Sequence, residues 1–124
     1  MSLAEYFEHV KGTGILATAD EDGAVDVAIY GRPHVMDKDT VAFIMSQRLS
    51  YANVQANPQA AYMFIEDSEE YLGKRLYLTK IREEDDPEFI DSLRRHSTRH
   101  RLESNEGKHA VFFRVDKVRP LVGG

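Results

Sequence analysis

The residues best suited to chemistry lie within 40–58, where TVAFIM predicts a strand and SQRLSYANVQAN a short helix after it. Arg48, Ser50 and Asn53 fall near the start of that helix. Unpaired N–H groups at a helix N-terminus, a hydroxyl and a guanidinium together form a typical phosphate-binding site. The same residues also fit a helix capped by Ser46 whose Arg48 and Asn53 are only solvated, and the pattern alone favours neither reading.

Other chemistry has little support in the chain. It contains no G-x-G-x-x-G, Walker, H-E-x-x-H or G-x-S-x-G motif, so nothing predicts a dedicated hydrolase or a nucleotide kinase. His96 and His100 have the i, i+4 spacing of metal ligands on a helix. They lie in an arginine-rich run, 94–101, that holds no carboxylate and would repel a cation, so we expect no metal site. The run itself is either a solvated face or an anion-binding or partner-docking arm.

The composition sets broad limits on the protein. Its 124 residues, 42% hydrophobic and 30% charged, predict one globular domain over 1–124. Cysteine is absent, which excludes disulfides, thiolate metal sites and a cysteine nucleophile. No apolar stretch approaches the roughly 20 residues of a membrane span, and the N-terminus shows no signal-peptide pattern. We therefore expect a cytoplasmic protein that does not bind membranes, and the net charge of −5 argues against nucleic-acid binding.

The first half of the chain predicts one helix followed by strands. Ser2 and Glu5 have the S-x-x-E spacing of a capping box, and an apolar stripe predicts a helix over Leu3–Lys11. Alternating apolar residues and polar turns then predict a meander of four strands: Gly14–Ala19, Val25–Gly31, Val35–Met36 and Thr40–Met45.

The second half predicts two helices and three strands. Leu49, Ala52 and Val54 are the apolar residues of the helix over Ser46–Asn57. Six or more short strands in a chain of this size favour a closed or nearly closed antiparallel barrel, because closure removes exposed edges. We expect a polar loop at 96–108 to be the segment least protected from hydrogen exchange. The remaining elements are strands at Ala60–Ile65, Arg75–Arg82 and His109–Val118, and a helix beginning at Asp86-Pro87-Glu88.

Taken in order, these motifs resemble the pyridoxamine 5′-phosphate oxidase-like flavoproteins. The pattern of a strand, a polar turn with serine and a basic residue, and a helix ending in Asn-Pro is present as MSQRLSYANV, followed by Asn57-Pro58. The segment GILATADEDG is similar to the first strand and turn of that family, and Asp86-Pro87-Glu88-Phe89 stands where small members begin a helix. The resemblance covers nearly the whole chain and implies a mainly β fold, an antiparallel split β-barrel of about six strands with two or three short helices.

The resemblance further implies an FMN-binding homodimer with two flavins at the subunit interface. The segment Ala28–Arg32 would pass beside the isoalloxazine ring and offer mainly backbone polar groups. Met45 and Ser46 would lie near the ribityl chain. Arg32 is the favoured donor to flavin or substrate, with Tyr30 and His34 as further candidates. The residues placed near the ring are Ala28, Ile29, Tyr30 and Arg32.

The phosphate of FMN would be held by Arg48 and Ser50, with Asn53 supporting them from the next turn. Arg75 would either reach across the dimer to the same site or be an ordinary exposed strand residue. One position departs from the family pattern, because many relatives carry a basic residue directly before the serine and this chain carries Leu49. Arg48 must then supply the charge from a different angle, which predicts weaker binding of FMN.

Three functions remain open from the sequence. The first is a small FMN-dependent oxidoreductase or electron carrier that is not a true pyridoxamine phosphate oxidase, since residues for a substrate phosphate are not found. The second is a non-catalytic module that uses the same barrel for FMN, haem or another planar ligand. The third is an OB-like barrel that binds single-stranded nucleic acid through the basic run, which the net charge opposes.

Overall fold

The computed structural model describes residues 1–94 and 107–124. The order of elements predicted from the sequence is confirmed: a helix, four strands, a helix, two strands, a helix and a last strand. Within the described ranges, no helix is both long and apolar enough to cross a membrane. The elements are α1 (Leu3–His9), β1 (Gly12–Ala19), β2 (Val25–Ile29), β3 (His34–Val35), β4 (Thr40–Ser46), α2 (Leu49–Ala56), β5 (Gln59–Glu66), β6 (Gly73–Glu84), α3 (Pro87–Arg94) and β7 (Lys108–Pro120).

The structure confirms two helix starts that the sequence predicts, those of α1 and α3. The Ser2 hydroxyl accepts a hydrogen bond from the Glu5 N–H at 3.2 Å, and the Glu5 carboxylate accepts one from the Ser2 N–H at 3.2 Å. Helix α3 begins at Pro87, directly after Asp86, whose carbonyl accepts from the N–H of Ile90 at 3.0 Å. His96, His100 and the rest of the basic run beyond Arg94 lie outside the described residues, as does nearly all of the loop expected at 96–108.

The seven strands found in the described ranges form one antiparallel sheet in the order β2-β1-β5-β6-β7-β4-β3. The predicted four-strand meander is therefore wrong. The hairpins β1–β2 and β3–β4 do form, but they stand at opposite ends of the sheet order, because β4 pairs with β7. Hairpin signals determine pairing only between neighbours in the sequence, whereas the pairing of β4 with β7 joins strands more than 60 residues apart.

The core lies on the inner face of this curved sheet. Its aromatic residues meet mostly edge to face, and Tyr6 and Phe7 of α1 pack against Phe64 with ring centroids 6.0 and 5.3 Å apart. A smaller cluster lies under α3, where Ile90 and Leu93 pack against Phe112. The fully buried core side chains include Leu16, Met45, Tyr62, Phe64, Leu76, Val111 and Phe113.

Helix α2 is not held as its apolar pattern indicates. Of its three apolar residues, Val54 is buried, Ala52 is exposed, and Leu49 is 57% exposed. The polar residues Ser50 and Asn53 are buried with Val54. The face that this helix turns toward the sheet is therefore largely polar.

A close contact at Gly14 shapes the end of β2. The Tyr62 hydroxyl lies against Gly14 and donates to the carbonyl oxygens of Tyr30, at 3.2 Å, and Gly31, at 2.9 Å. The Tyr30 N–H donates in turn to the Gly14 carbonyl at 3.0 Å. A side chain at Gly14 would occupy the space of the tyrosine hydroxyl.

We expect Gly14→Ala to lower the free energy of unfolding by about 1 to 3 kcal/mol through overpacking. The added Cβ would lie 1.8 Å from the Tyr62 hydroxyl and 2.4 Å from the Tyr30 carbonyl oxygen. Gly31→Ala is the matched control, since a Cβ there meets nothing within 4 Å. Urea unfolding followed by circular dichroism measures the free energy of unfolding of both variants. Equal losses in the two would contradict the close contact assigned to Gly14.

Candidate functional site

A cavity of about 400 Å³ lies between the end of β2, the end of β4 and the first turn of α2. Its volume falls within the range of small-molecule sites, about 300 to 1,000 Å³. Seven of the eleven residues that the family resemblance implies for the cofactor line this cavity. The full lining is Asp26, Ala28, Ile29, Tyr30, Gly31, Ile44, Ser46, Arg48, Leu49 and Ser50.

The first turn of α2 carries no side-chain cap. Arg48 is the N-cap residue, its side chain makes no capping hydrogen bond, and the first turn holds no acidic residue. Ser46, the cap expected under the alternative interpretation, instead accepts a hydrogen bond from Lys108 Nζ at 2.8 Å. The first-turn N–H groups therefore lack a capping side chain at the edge of the cavity, which favours an anion there.

Tyr30 and the first turn of α2 approach each other across the cavity. Burial raises the pKa of Tyr30 above its ordinary value, while a hydrogen bond with Ser50 and the positive charge of Arg48 lower it in part. The phenol, the hydroxyl and the guanidinium are thus close enough to interact. Because Tyr30 keeps its proton at neutral pH, it can donate a hydrogen bond into the cavity.

The cavity is bipolar. Arg48 brings a positive charge at the α2 side, and Asp26 brings a negative charge from β2. Asp26, Ala28 and Tyr30 alternate with Val25, Val27 and Ile29 along the strand. A ligand with one anionic end and hydrogen-bond donors elsewhere matches this distribution.

Four of the residues implied by the resemblance do not line the cavity. The Arg32 guanidinium donates to the Phe7 carbonyl at 2.7 Å, which ties it to the end of α1. Met45 is fully buried in the core. Asn53 Nδ2 donates to Thr18 Oγ1 at 3.0 Å, which holds α2 against β1 from beneath Ser50.

Arg75 is engaged elsewhere in the described chain. Its guanidinium donates to the carbonyl oxygens of Pro120 and Gly123, and it lines a second cavity of about 190 Å³ on the outer face of the sheet. That cavity is almost entirely apolar and lies against Val27 and Tyr77. An approach of Arg75 to the first cavity would have to come from a second copy of the chain.

Two lining residues were not identified from the sequence: Asp26 and Ile44. The alternation of β2 places Asp26 on the same side as Ala28 and Tyr30, so the period-two pattern could have identified it. Gly31 directly follows Tyr30 and lies within the segment expected beside the ring. Ile44 carried no signal, because its position depends on how β4 is placed relative to β2.

A second polar cluster lies on the other side of α2. Glu83, Asp85 and His109 each offer one atom that could ligate a metal, and these three atoms lie within 4.8 Å of one another. The two Glu83 oxygens accept hydrogen bonds from Tyr51 at 2.6 Å, from Gln55 at 3.0 Å and from Lys80 at 3.3 Å. Burial raises the pKa of Glu83, but these bonds outweigh it and the pKa lies below its ordinary value. The carboxylate is already engaged by the protein, so we assign the cluster no metal.

Comparison with known proteins identifies the fold. No protein-family model matches the chain, and no curated sequence matches it. An FMN-binding protein from Syntrophomonas wolfei superposes with a TM-score of 0.82 at 16% identity, covering 99% of this chain and 86% of that one. HupZ from Group A Streptococcus superposes with a TM-score of 0.76 at 15% identity, covering 98% of this chain and 93% of that one.

A pyridoxamine 5′-phosphate oxidase-like protein from Lactobacillus delbrueckii gives a TM-score of 0.70 at 17% identity, over 94% of this chain and 89% of that one. At these identities the similarity shows the fold. The chain has the antiparallel split-barrel fold of the pyridoxamine 5′-phosphate oxidase-like proteins, as its sequence predicts.

We expect the stability of the protein to fall above about pH 10 partly through Tyr30. Its pKa is raised in the fold, so the folded chain holds this proton more tightly than the unfolded chain. The resulting stabilisation is complete below the unfolded pKa and is lost as pH rises through the folded pKa. In urea unfolding at a series of alkaline pH values, Tyr30→Phe should therefore lose stability less steeply than the wild type. Tyr71→Phe, at an 81% exposed position, should behave like the wild type, and identical slopes for all three would contradict the prediction.

Proposed function

We propose that the larger cavity binds FMN and that the protein is a small flavoprotein of oxidoreductase or electron-transfer type. The observation that carries this proposal is the uncapped first turn of α2, which brings Arg48 and Ser50 to a cavity that Tyr30 also lines. Proteins of this fold include one named as FMN-binding. The cavity volume and its bipolar lining suit a planar ligand with a phosphate at one end.

The phosphate end of the ligand would lie at α2. Backbone N–H groups and the helix dipole favour an anion there, and Arg48 adds a charge-assisted contact. Ser50 is 5% exposed and supplies a hydroxyl. Leu49 is the exposed residue between them, so it can cover the ligand but cannot neutralise its charge.

The ring end of the ligand would lie along β2. This strand stands at one end of the sheet order, so within the described residues one of its backbone edges has no partner strand. Free N–H and C=O groups on that edge match the polar rim of an isoalloxazine ring. On the opposite, paired side of the strand, the carbonyls of Tyr30 and Gly31 accept hydrogen bonds from Tyr62, which hold the end of this segment in place.

When bound, FMN supplies reversible transfer of one or two electrons. The residues of this chain would orient the ring, hold the phosphate and limit access of water. Tyr30 can donate a hydrogen bond, and Asp26 can accept one from a hydroxyl or ring N–H. Among the lining residues that the structure describes, Arg48 is the single cation. One cation suits one phosphate, which argues against a phosphorylated substrate such as pyridoxamine phosphate.

We also propose that two copies associate through the outer face of β2. Val25, Val27 and Ile29 are 82%, 68% and 71% exposed, an unusual exposure for alternate apolar residues of a strand. Ile29 also lines the larger cavity, and Val27 lines the smaller apolar one. A second copy would bury this stripe and close the open side of the flavin site, which is the reason to prefer it over an unrelated partner.

The first test is titration with FMN and with riboflavin, followed by quenching of flavin fluorescence. We expect saturable binding with FMN tighter than riboflavin, since only FMN carries the phosphate. Arg48→Ala should weaken FMN by about 10- to 150-fold, the loss of about 1.5 to 3 kcal/mol for a charge-assisted contact, and leave riboflavin almost unchanged.

Arg114→Ala is the matched control. Arg114 pairs with Asp116 on the surface and stands opposite Thr40, at the far end of β4 from Ser46. Absence of FMN binding by the wild type, or equal effects of the two arginine variants, would overturn the proposed site. Steady oxidation of a nicotinamide donor by the FMN complex with a dye acceptor would support an oxidoreductase, and its absence would leave a flavin-binding module.

Val27→Glu should convert the proposed dimer into a monomer. A symmetric interface would bury two unpaired glutamate carboxylates, one from each copy, so the dissociation constant of the dimer should rise by at least about 100-fold. Sedimentation velocity over a range of concentrations measures the change. Met36→Glu, at a 39% exposed position beside β3 at the other end of the sheet order, should stay dimeric. A monomeric wild type or a dimeric Val27→Glu would refute the interface.

A further inference from the structure

The first turn of α2 needs support from outside the helix. The N-cap residue makes no side-chain capping hydrogen bond, and Val54 is the one buried apolar residue of the helix. In the middle of the helix, Asn53 donates a hydrogen bond to Thr18. At its C-terminal end, Asn57 Nδ2 donates one to the Asp20 carbonyl at 3.3 Å. These bonds hold the later turns against β1 and its turn, but they do not reach the turn that faces the cavity.

Tyr51 supplies a contact between the first turn and the end of the sheet formed by β6 and β7. Its ring stacks on the His109 ring with centroids 4.0 Å apart and planes 6° apart, and its hydroxyl donates to Glu83 Oε2 at 2.6 Å. Burial and the Glu83 bond both raise the pKa of Tyr51, so the phenol remains a donor at neutral pH. One turn later, Gln55 Nε2 donates to the other oxygen of Glu83 at 3.0 Å.

The partners of Tyr51 are themselves held by the sheet. His109 Nδ1 lies 2.6 Å from Asp85 Oδ1, and Lys80 Nζ lies 3.3 Å from Glu83 Oε1. Glu83 stands opposite Val111 in the pairing of β6 with β7, two residues along from His109. With its Nδ1 hydrogen directed at Asp85, the His109 ring leaves Nε2 buried and without a partner among the described residues. The contact with Asp85 therefore orients the His109 ring against that of Tyr51.

We propose that Tyr51 is a positioning residue for ligand phosphate, held by Glu83 and His109; this rests on the proposed FMN site. Successive side chains on a helix diverge by about 100°. The Tyr51 ring therefore determines the rotation of the first turn, and with it the direction of the neighbouring Ser50 hydroxyl and of the first-turn N–H groups. Tyr51 is not among the residues that line the cavity, so it would act through the helix and without contact to the ligand.

The test compares FMN with riboflavin in binding to full-length variants. Tyr51→Leu removes both the stacking and the hydrogen bond, and we expect it to weaken FMN about tenfold while changing riboflavin less than about twofold. Tyr51→Phe keeps the stacking on His109 and should recover part of the FMN preference. Tyr71→Leu is the control, since that tyrosine is 81% exposed and should leave both affinities unchanged.

The outcomes separate this inference from the proposed function. If the wild type binds FMN no more tightly than riboflavin, the phosphate site itself is wrong. If the wild type prefers FMN and Tyr51→Leu keeps that preference, the phosphate site stands and the positioning role is refuted. Should Tyr51→Leu fail to fold, Tyr51→Phe decides the question, because it removes only the hydroxyl that donates to Glu83. A reduced preference for FMN in Tyr51→Phe supports the role, and an unchanged preference refutes it.

Discussion

The pairing of β7 with two strands at once is the constraint on which the rest of the structure depends. Along its first half β7 pairs with β4 on one side, and along nearly its whole length it pairs with β6 on the other. Register shifts in the β6 pairing let the long strands bend around the core. This double pairing brings the end of β4, from which α2 departs, next to the end of β6, which carries Glu83. The polar cluster of Glu83, Asp85 and His109 forms where these ends meet, beside the helix whose first turn lines the larger cavity.

Helix α2 illustrates how a functional site can be stabilised by polar contacts. An amphipathic helix would be oriented by its apolar face, but α2 buries Ser50 and Asn53 and exposes Leu49. Its orientation comes from hydrogen bonds to β1 on one side and to the Glu83–His109 cluster on the other. Such bonds are directional, so they determine the rotation of the helix more closely than apolar packing does. That precision suits a first turn whose N–H groups, under the proposed function, would converge on an anion.

The edge of the sheet offers a second link between structure and function. Strand β2 has one paired backbone edge, an inner side that lines the cavity and an outer side that is apolar and exposed. Exposed apolar edge strands favour association with other chains unless something covers them. The same strand thus provides the proposed ring-binding edge and the proposed dimer face, so the two proposals together would couple occupancy of the site to assembly. Arg75 would contribute to the proposed flavin site only through such an assembly, because its own chain engages it at Pro120 and Gly123.

The sequence by itself determined the local features of this protein. The capping box at Ser2, the proline start of α3, the order of all ten elements and the strand-to-helix motif around Arg48 were predicted, because each depends on residues within one or two turns of each other. The split-barrel fold followed from the order of these motifs. Only the tertiary structure decided that β4 pairs with β7, that Leu49 is exposed while Ser50 is buried, and that Asp26 and Ile44 share a cavity with Arg48. It also decided that Arg32 binds the end of α1 and that His109 supports Tyr51. These facts depend on contacts between segments far apart in the chain, and alternation or helical periodicity carries no information about which distant strand supplies the neighbour.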